Sequence, residues 1–156
     1  MVPKGVKPIA TNRQARRDYD LLDTVEAGIS LRGSEVKSLR EAKVTLADAH
    51  ARVIDGEMWL IGLHVAPYSH TSTHEPPEPD RDRKLLLHRT EIDRLAARVA
   101  EQRLTLVPLA LYFKDGRAKL ELALAKGLTH HDRRQDIAKR DADREAARAI
   151  ADARRR

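Results

Sequence analysis

The sequence predicts a mainly β (α+β) fold: an antiparallel β-barrel of about six short strands, flanked by short helices and followed by a basic tail. Short runs with a two-residue hydrophobic period recur along the chain, and two Asp-Gly pairs join neighbouring runs. The regular alternation of strand and helix that builds a parallel sheet is missing. These observations favour an OB-like barrel over a doubly wound sheet.

The first strand and the first helix of the predicted barrel follow each other closely. Apolar and polar or small residues alternate over residues 25–31, which is the pattern of a half-buried strand. Gly33 and Ser34 interrupt this pattern. Ser34 is a favourable capping residue, so the sequence predicts a short helix from Ser34 to about Glu41.

Two hairpins complete the strand pattern. Asp55-Gly56 separates residues 51–54 from residues 57–61, and a two-residue Asp-Gly connection favours the turn whose twist matches a hairpin. Asp115-Gly116 separates residues 104–113 from a cleanly alternating return strand. Pro108 lacks the N–H that a strand interior needs, so a bulge, bend or edge position is expected there.

A loop and a helix lie between the two hairpins. Residues 67–83 are rich in Pro, Ser, Thr and Asp and show no periodicity, so they are predicted to form a mobile loop. Residues 84–88 form a short apolar run. A helix is then predicted to begin at its capping residue, Thr90, and to end near Gln102.

The net charge of +6 is unevenly distributed. Residues 1–17 carry +5 without a single acid, residues 126–156 carry +4, and the body between them carries −3. Basic ends on a mildly acidic body are typical of nucleic-acid binders. The sequence therefore predicts three parts: a basic arm (1–17), a barrel domain (18–127) and a basic tail (128–156).

The tail differs in composition from the barrel. After Gly127 the chain is rich in Ala and Arg, with strong helix propensity but almost no large apolar residue. Its faint alanine stripe can bury little area. We expect the tail to be disordered alone and helical when bound to a partner.

Several kinds of chemistry lack their sequence signals. The chain has no cysteine, and it contains no GxGxxG, GxxxxGK[ST], GxSxG or HExxH motif. His70 and His74 are four residues apart, but their Pro-rich surroundings do not favour a helix that would aim both at a metal. We therefore expect no catalytic residue, metal or cofactor. The sequence shows neither a signal peptide nor a long apolar stretch, which favours a soluble cytoplasmic protein with no membrane partner.

Two isolated residue types leave their roles open. Trp59 lies in a predicted strand and is more typical of a core residue than of a stacking platform. His130-His131 precedes Asp132-Arg133-Arg134, and this group is compatible either with a solvated turn or with an imidazole stacked on an unpaired base.

Seven blocks along residues 9–145 form one recognisable set: IATNRQAR (9–16), EAGI (26–29), GSEVKSLR (33–40), RKLLLH (83–88), LYFK (111–114), GRAKLELALAKG (116–127) and HDRR (131–134). Read in this order, the blocks resemble one known family, the SsrA-binding proteins (small protein B). The resemblance implies an OB-like barrel that acts as an adaptor and not as an enzyme.

The family resemblance also implies partners. Its members bind the tRNA-like domain of transfer-messenger RNA and bring that RNA to stalled bacterial ribosomes. The tail enters the empty message channel beside the decoding centre of the small-subunit ribosomal RNA. Elongation factor Tu joins indirectly, through the charged RNA.

Residue by residue, the resemblance implies two sets of contacts. The RNA-binding set is Asn12, Arg13, Arg16, Glu26, Lys37, Arg40, Lys84, Leu86, His88, Lys119 and Lys126. The ribosome-binding set in the tail is His131, Asp132, Arg133 and Arg134. In this chain His88 replaces a common Asn, Arg133 replaces a Lys, and Leu128-Thr129 replaces a Lys-Lys pair.

Two other readings stay open at this stage. A general OB-fold RNA-binding module, acting in translation initiation or as an RNA chaperone, needs the same basic ends but no particular RNA shape. A metal-dependent nuclease would have to use His74, Asp80 and Asp82, which lie in the predicted loop.

Overall fold

The computed structural model describes residues 5–68, 76–127 and 130–155, with side chains of the last segment described for residues 138–151. The chain divides into two compact units, Met1–Lys126 and Gly127–Arg156. In chain order the elements are β1 (Val6–Thr11), α1 (Arg13–Asp18), β2 (Tyr19–Ile29), α2 (Gly33–Arg40), β3 (Val44–Thr45), β4 (His50–Ile54), β5 (Glu57–Ile61), β6 (His64–Val65), β7 (Arg83–Leu86), α3 (Arg89–Gln102), β8 (Thr105–Lys114), β9 (Arg117–Gly127) and α4 (His130–Arg155).

Six strands of the first unit form a closed ring. The hydrogen-bonded order is β8, β4, β5, β7, β2, β9, and β9 pairs again with β8. Each pair with a described register is antiparallel. The predicted barrel of about six strands is therefore confirmed. β1 adds a seventh strand on β8, and β3 pairs with β6 in a separate two-stranded sheet.

β8 pairs with three strands, β1, β4 and β9, and its backbone is irregular at Pro108. The β8–β9 register shifts between Pro108 and Ala110, so of the bulge, bend or edge position expected at Pro108 the structure shows a bulge. On the other edge of β8, Leu106 pairs with β4, and the segment from Ala110 to Lys114 pairs with β1. The bulge thus separates the part of β8 that closes the barrel from the part that carries the additional strand.

Both predicted hairpins form at their Asp-Gly pairs. Asp55 and Gly56 have φ angles of 50° and 77°, and Asp115 and Gly116 have φ angles of 51° and 81°. Two successive positive φ angles define the tight turn that matches the twist of paired strands. Glycine adopts this conformation without strain, which explains why the second turn position is Gly in both hairpins.

The barrel interior is filled mainly by aliphatic side chains, as the low aromatic content requires. In β5, Met58 and Leu60 are fully buried, whereas Trp59 between them is half-buried on the outward face. The expectation of a core position for Trp59 is therefore wrong, because its two neighbours occupy the inward positions of the strand.

Residues 6–17 pack against the barrel. β1 pairs with β8, and Ala15 of α1 packs into a second apolar cluster outside the barrel. That cluster also contains Val107, Leu109, Ala123 and Ala125, so residues 106–109 of β8 and residues 122–125 of β9 are buried on both faces. Residues 6–17 therefore belong to the folded unit, which corrects the predicted boundary at residue 17.

Both long helices of the first unit begin one or two residues earlier than predicted. α2 begins at Gly33, and the Glu35 carboxylate accepts a hydrogen bond of 2.8 Å from the Arg32 N–H. α3 begins at Arg89, and the Glu91 carboxylate accepts the His88 N–H at 3.3 Å. In each case a glutamate at the third helical position fixes the start, and neither Ser34 nor Thr90 is the cap. The predicted end of α3 near Gln102 is confirmed.

The second unit contains α4, which is a continuous helix. Its side chains from residue 138 to residue 151 are all exposed, including Ile150 at 56%. We expected the tail to be helical when bound to a partner, and the structure describes it in this helical form. Disorder of the free tail stays a prediction.

Candidate nucleic-acid interface

Three of the predicted RNA-binding residues lie on one outward face of the barrel, across β7, β2 and β9. Leu86 of β7 pairs with Gly28 of β2, and Glu26 lies two positions before Gly28 on the same face. Lys119 of β9 pairs with Tyr112 of β8, whose hydroxyl contacts Glu26. These residues come from segments far apart in sequence, and the barrel brings them together. We call Glu26, Leu86, Tyr112 and Lys119 the outer face.

Glu26 is held by two residues that the sequence did not single out as ligands. The Tyr112 hydroxyl donates a hydrogen bond of 2.5 Å to Glu26 Oε2, and Lys114 Nζ lies 3.4 Å from Glu26 Oε1. The hydrogen bond from Tyr112 and the charge of Lys114 lower the pKa of Glu26, although partial burial opposes them. Burial and the hydrogen bond to Glu26 raise the pKa of Tyr112. Glu26 is therefore an acceptor-only carboxylate at neutral pH.

Leu86 is an exposed apolar residue supported by a glycine. Its side chain is 53% exposed, which is unusual for leucine in a strand. A Cβ atom at Gly28 would lie 3.2 Å from Leu86 Cβ, so glycine allows Leu86 to lie close against β2. Lys84, two residues earlier on the same outward side of β7, forms a 3.1 Å ion pair with Glu57. The outer face thus combines apolar and charged contacts.

Asn12 is buried, and its side chain is engaged within the fold. Asn12 Nδ2 donates to the Pro108 carbonyl at 3.0 Å, and Asn12 Oδ1 accepts the Ala15 N–H at 3.1 Å. Only 5% of the residue is exposed. The geometry therefore favours a positioning role for Asn12: it caps α1 and ties it to the bulge of β8. The arginines of α1 that it positions, Arg13 and Arg16, are exposed.

Lys37 and Arg40 lie on the exposed side of α2. Lys37 Nζ is 5.5 Å from the centre of the Tyr68 ring, a cation–π distance. The buried side of the helix carries Glu35, which accepts hydrogen bonds from Arg83 Nε at 2.8 Å and Arg83 Nη2 at 2.5 Å. Arg83 is fully buried, and its Nη1 also donates to the Leu63 carbonyl at 2.8 Å.

This buried ion pair corrects the predicted extent of the mobile loop. Arg81 donates to Glu35 as well, and the Pro79 carbonyl accepts a hydrogen bond from Arg83 Nη2 at 3.1 Å. Residues 79–83 are therefore anchored, while residues 69–75 lie outside the described residues. The sequence pattern contained one sign of this ion pair: Arg83 lies two residues before Leu85 in β7, so both side chains point inward. An inward-pointing arginine needs a buried acceptor.

The remaining predicted residues lie at the ends of elements. His88 is the exposed N-cap of α3, and Lys126 is exposed near the end of β9. His131, Asp132, Arg133 and Arg134 lie near the start of α4, and their side chains lie outside the described part of the chain. Leu128, Thr129, His70 and His74 also lie outside it.

The structure gives no support to the nuclease reading. Among the described residues, no three His, Asp or Glu side chains are grouped so that they could hold a metal. Asp80 is paired with His64 at 2.7 Å, and Asp82 is exposed.

Comparisons with known proteins agree on one family. The family model described as SmpB protein matches residues 9–152. The chain is 55% identical over 153 residues to the SsrA-binding protein of Mycolicibacterium vanbaalenii, covering 95% of this chain and 92% of that protein. It is 56% identical over 144 residues to the SsrA-binding protein of Mycolicibacterium smegmatis, covering 92% and 89%.

A solved structure is also similar. It is described as "tmRNA-SmpB: a journey to the center of the bacterial ribosome", and the match has a TM-score of 0.65 and 45% identity. The match covers 82% of this chain and 93% of the other. Together with the family model and the two relatives, it shows that this chain belongs to the SmpB family.

Proposed function

We propose that this protein is the adaptor of trans-translation: it binds the tRNA-like domain of transfer-messenger RNA and brings it to stalled ribosomes. The observation that carries the proposal is the outer face, where Glu26, Leu86 and Lys119 converge from three strands. The names of the relatives and the description of the solved structure support this choice of RNA.

The chemistry of the outer face suits a folded RNA better than a bare polyanion. Lys119 and Lys126 offer charge to phosphates, while Leu86 offers an apolar contact to a base or ribose. Glu26 repels phosphate and can only accept, so its partner must be a donor such as a base amino group or a 2′-hydroxyl. A surface of this kind favours RNA that presents phosphates and a donor in one arrangement.

The two units have different proposed tasks. The barrel with its N-terminal segment holds the RNA, and the tail reaches the small ribosomal subunit. In the tail, His131 would stack on an exposed ribosomal base, and Arg133 and Arg134 would pair with phosphates. Asp132 would orient this basic group. Elongation factor Tu would be reached through the charged RNA and not through a surface of this chain.

The adaptor role needs no catalysis, cofactor or membrane. The family is one of RNA-binding factors. None of the helices in the described ranges is both long and apolar enough to cross a membrane. We place the protein in the cytoplasm, where its proposed ribosomal partner works.

The decisive experiment compares three RNAs across a salt series: transfer-messenger RNA, an elongator tRNA and an unstructured strand of equal length. We expect a preference for the first that persists at physiological salt. Equal binding to all three that disappears with salt would instead indicate a general RNA-binding module. Lys119→Gln should lower the salt slope by about one, the change expected when one phosphate contact is lost.

A further inference from the structure

We propose that Trp59 is a stacking platform for an unpaired nucleotide of the bound RNA, flanked by Arg52 and Lys84. This inference rests on the proposed function, because it assigns a second contact to the same RNA. It concerns the barrel surface beyond β7, which the resemblance leaves unassigned apart from Lys84.

The three side chains form one row across three strands. Trp59 of β5 pairs with Arg52 of β4 on one side and with Lys84 of β7 on the other. Directly paired residues place their Cβ atoms about 5 Å apart on the same face of a sheet. Met58 and Leu60 are fully buried, so all three members of the row face outward. A cation therefore lies on each side of the indole.

The indole and Arg52 are both available to a ligand. No cation among the described residues covers the Trp59 ring, and Arg52 is exposed without an ion pair or side-chain hydrogen bond to any described residue. Lys84 forms an ion pair with Glu57 at 3.1 Å, and this pair neutralises the negative charge next to the row. The row thus offers an aromatic surface with a net positive charge.

The row continues into the outer face. Lys84 and Leu86 lie two residues apart on the same outward side of β7, and Leu86 pairs with Gly28 of β2. In the β5–β7 register Trp59 lies opposite Lys84 and is therefore a diagonal neighbour of Leu86, at about 7–8 Å. This continuity argues for the same RNA as the occupant of both surfaces.

The chemistry selects an unpaired nucleotide. Bases stack on aromatic rings only when they are not already stacked in a duplex, and the neighbouring cations suit the phosphates on either side of such a base. A protein partner would have to leave Arg52 without an acceptor or supply an acid for it. A single-stranded or looped part of the RNA supplies both a free base for the indole and phosphates for Arg52 and Lys84.

The test uses the fact that the sequence contains one tryptophan. Indole emission of the full chain is followed while RNA is added, with binding measured in parallel by gel shift. We expect quenching of the emission and reduced access of acrylamide to Trp59 when the tRNA-like domain binds. Binding without either change would overturn the inference and leave the proposed function intact. Absence of selective binding would overturn the proposed function itself.

Variants give an independent measurement. Trp59→Leu should weaken binding about tenfold, whereas Trp59→Phe, which keeps an aromatic ring, should stay within about threefold. Arg52→Gln should weaken binding about threefold and lower the salt slope by about one. Arg103→Gln, at an exposed arginine that follows α3, controls for the loss of one charge. If Trp59→Leu binds like the unchanged protein, or if Arg103→Gln loses as much as Arg52→Gln, the inference is wrong.

Discussion

Tyr112 and Glu26 are joined by a hydrogen bond of 2.5 Å between side chains that are 86 residues apart in the sequence. The bond connects β8 to β2, although the two strands are not adjacent in the barrel and β9 lies between them. Tyr112 therefore reaches over β9 to fix the orientation of a carboxylate on the outer face. The same hydroxyl lowers the pKa of that carboxylate, because it donates to the charged form.

Tyr112→Phe should therefore weaken RNA binding with little effect on folding. The variant leaves the ring in place and removes the donor, so the pKa of Glu26 should move up towards its ordinary value of 4.5. We expect affinity for the tRNA-like domain to fall about fivefold and the free energy of unfolding to fall by about 0.5 kcal/mol. Gel-shift titrations and urea unfolding measure the two quantities.

A double variant shows whether Tyr112 acts through Glu26. In a Glu26→Gln background, Tyr112→Phe should have no further effect on affinity. Additive losses would mean that the hydroxyl contacts RNA independently. Tyr19→Phe removes a hydroxyl from a half-buried tyrosine outside the outer face, and it should bind RNA normally.

Glu35→Gln should destabilise the barrel strongly, because it leaves Arg83 buried without a counter-ion. Breaking a buried pair from one side costs about 3 kcal/mol, which urea unfolding at neutral pH would detect. Glu57→Gln is the matched control: its pair with Lys84 is solvent-exposed and should contribute less than about 1 kcal/mol. Equal costs for the two variants would contradict a structural role for the Glu35–Arg83 pair.

The same pair predicts a pH dependence of stability. Burial tends to raise the pKa of Glu35, but the hydrogen bonds from Arg81, the Arg32 N–H and Arg83 outweigh it and lower the pKa below 4.5. The stabilisation is therefore fully present above pH 4.5 and is lost as the pH falls through the lower, folded-state pKa. Unfolding free energies measured from pH 7 to pH 2 should show the gap between the unchanged protein and Glu35→Gln narrowing in acid. A constant gap would argue against this titration.

Asn12→Ala should lower stability by about 2 kcal/mol, because α1 loses its cap and the Pro108 carbonyl loses its donor. Any loss of RNA affinity should arise because Arg13 and Arg16 of α1 are no longer held in position. Asn12→Ser keeps a capping oxygen and loses the donor to the Pro108 carbonyl, so its stability should lie between those of the unchanged protein and Asn12→Ala. Gln14→Ala, an exposed position on the same helix, should change stability by less than about 0.5 kcal/mol. Thermal unfolding of the four proteins gives the comparison.

Local signals in the sequence predicted the barrel well. The two Asp-Gly turns and the irregularity at Pro108 depend on residues within a few positions of each other, so the structure shows them where the sequence pattern placed them. Packing between segments far apart in the sequence was harder to predict. An apolar cluster joins α1 to β8 and β9, but the α1 residue in it is Ala15, whose small side chain gives a weak hydrophobic signal, so residues 1–17 resembled a charged arm.

The outer face was predictable only in part. The resemblance supplied Glu26, Leu86 and Lys119, but it did not show that Tyr112 and Lys114 hold the Glu26 carboxylate. Such contacts depend on which outward side chains meet across the closed barrel. A strand pattern assigns each residue to a face, and it does not specify neighbours two strands away.

Removing residues from Gly127 onward should separate the two proposed tasks. The first unit has its own core, which extends through β9, and the described side chains of α4 are exposed, so the shortened protein should unfold with nearly the same midpoint. Affinity for the tRNA-like domain should change by less than about threefold, whereas tagging of stalled chains in a reconstituted translation reaction should be abolished. A peptide of residues 128–156 should show little helix by circular dichroism in buffer, because its alanine stripe can bury little area. Tagging by the shortened protein would contradict the ribosomal role of the tail, and a stable helix in the isolated peptide would contradict its predicted disorder.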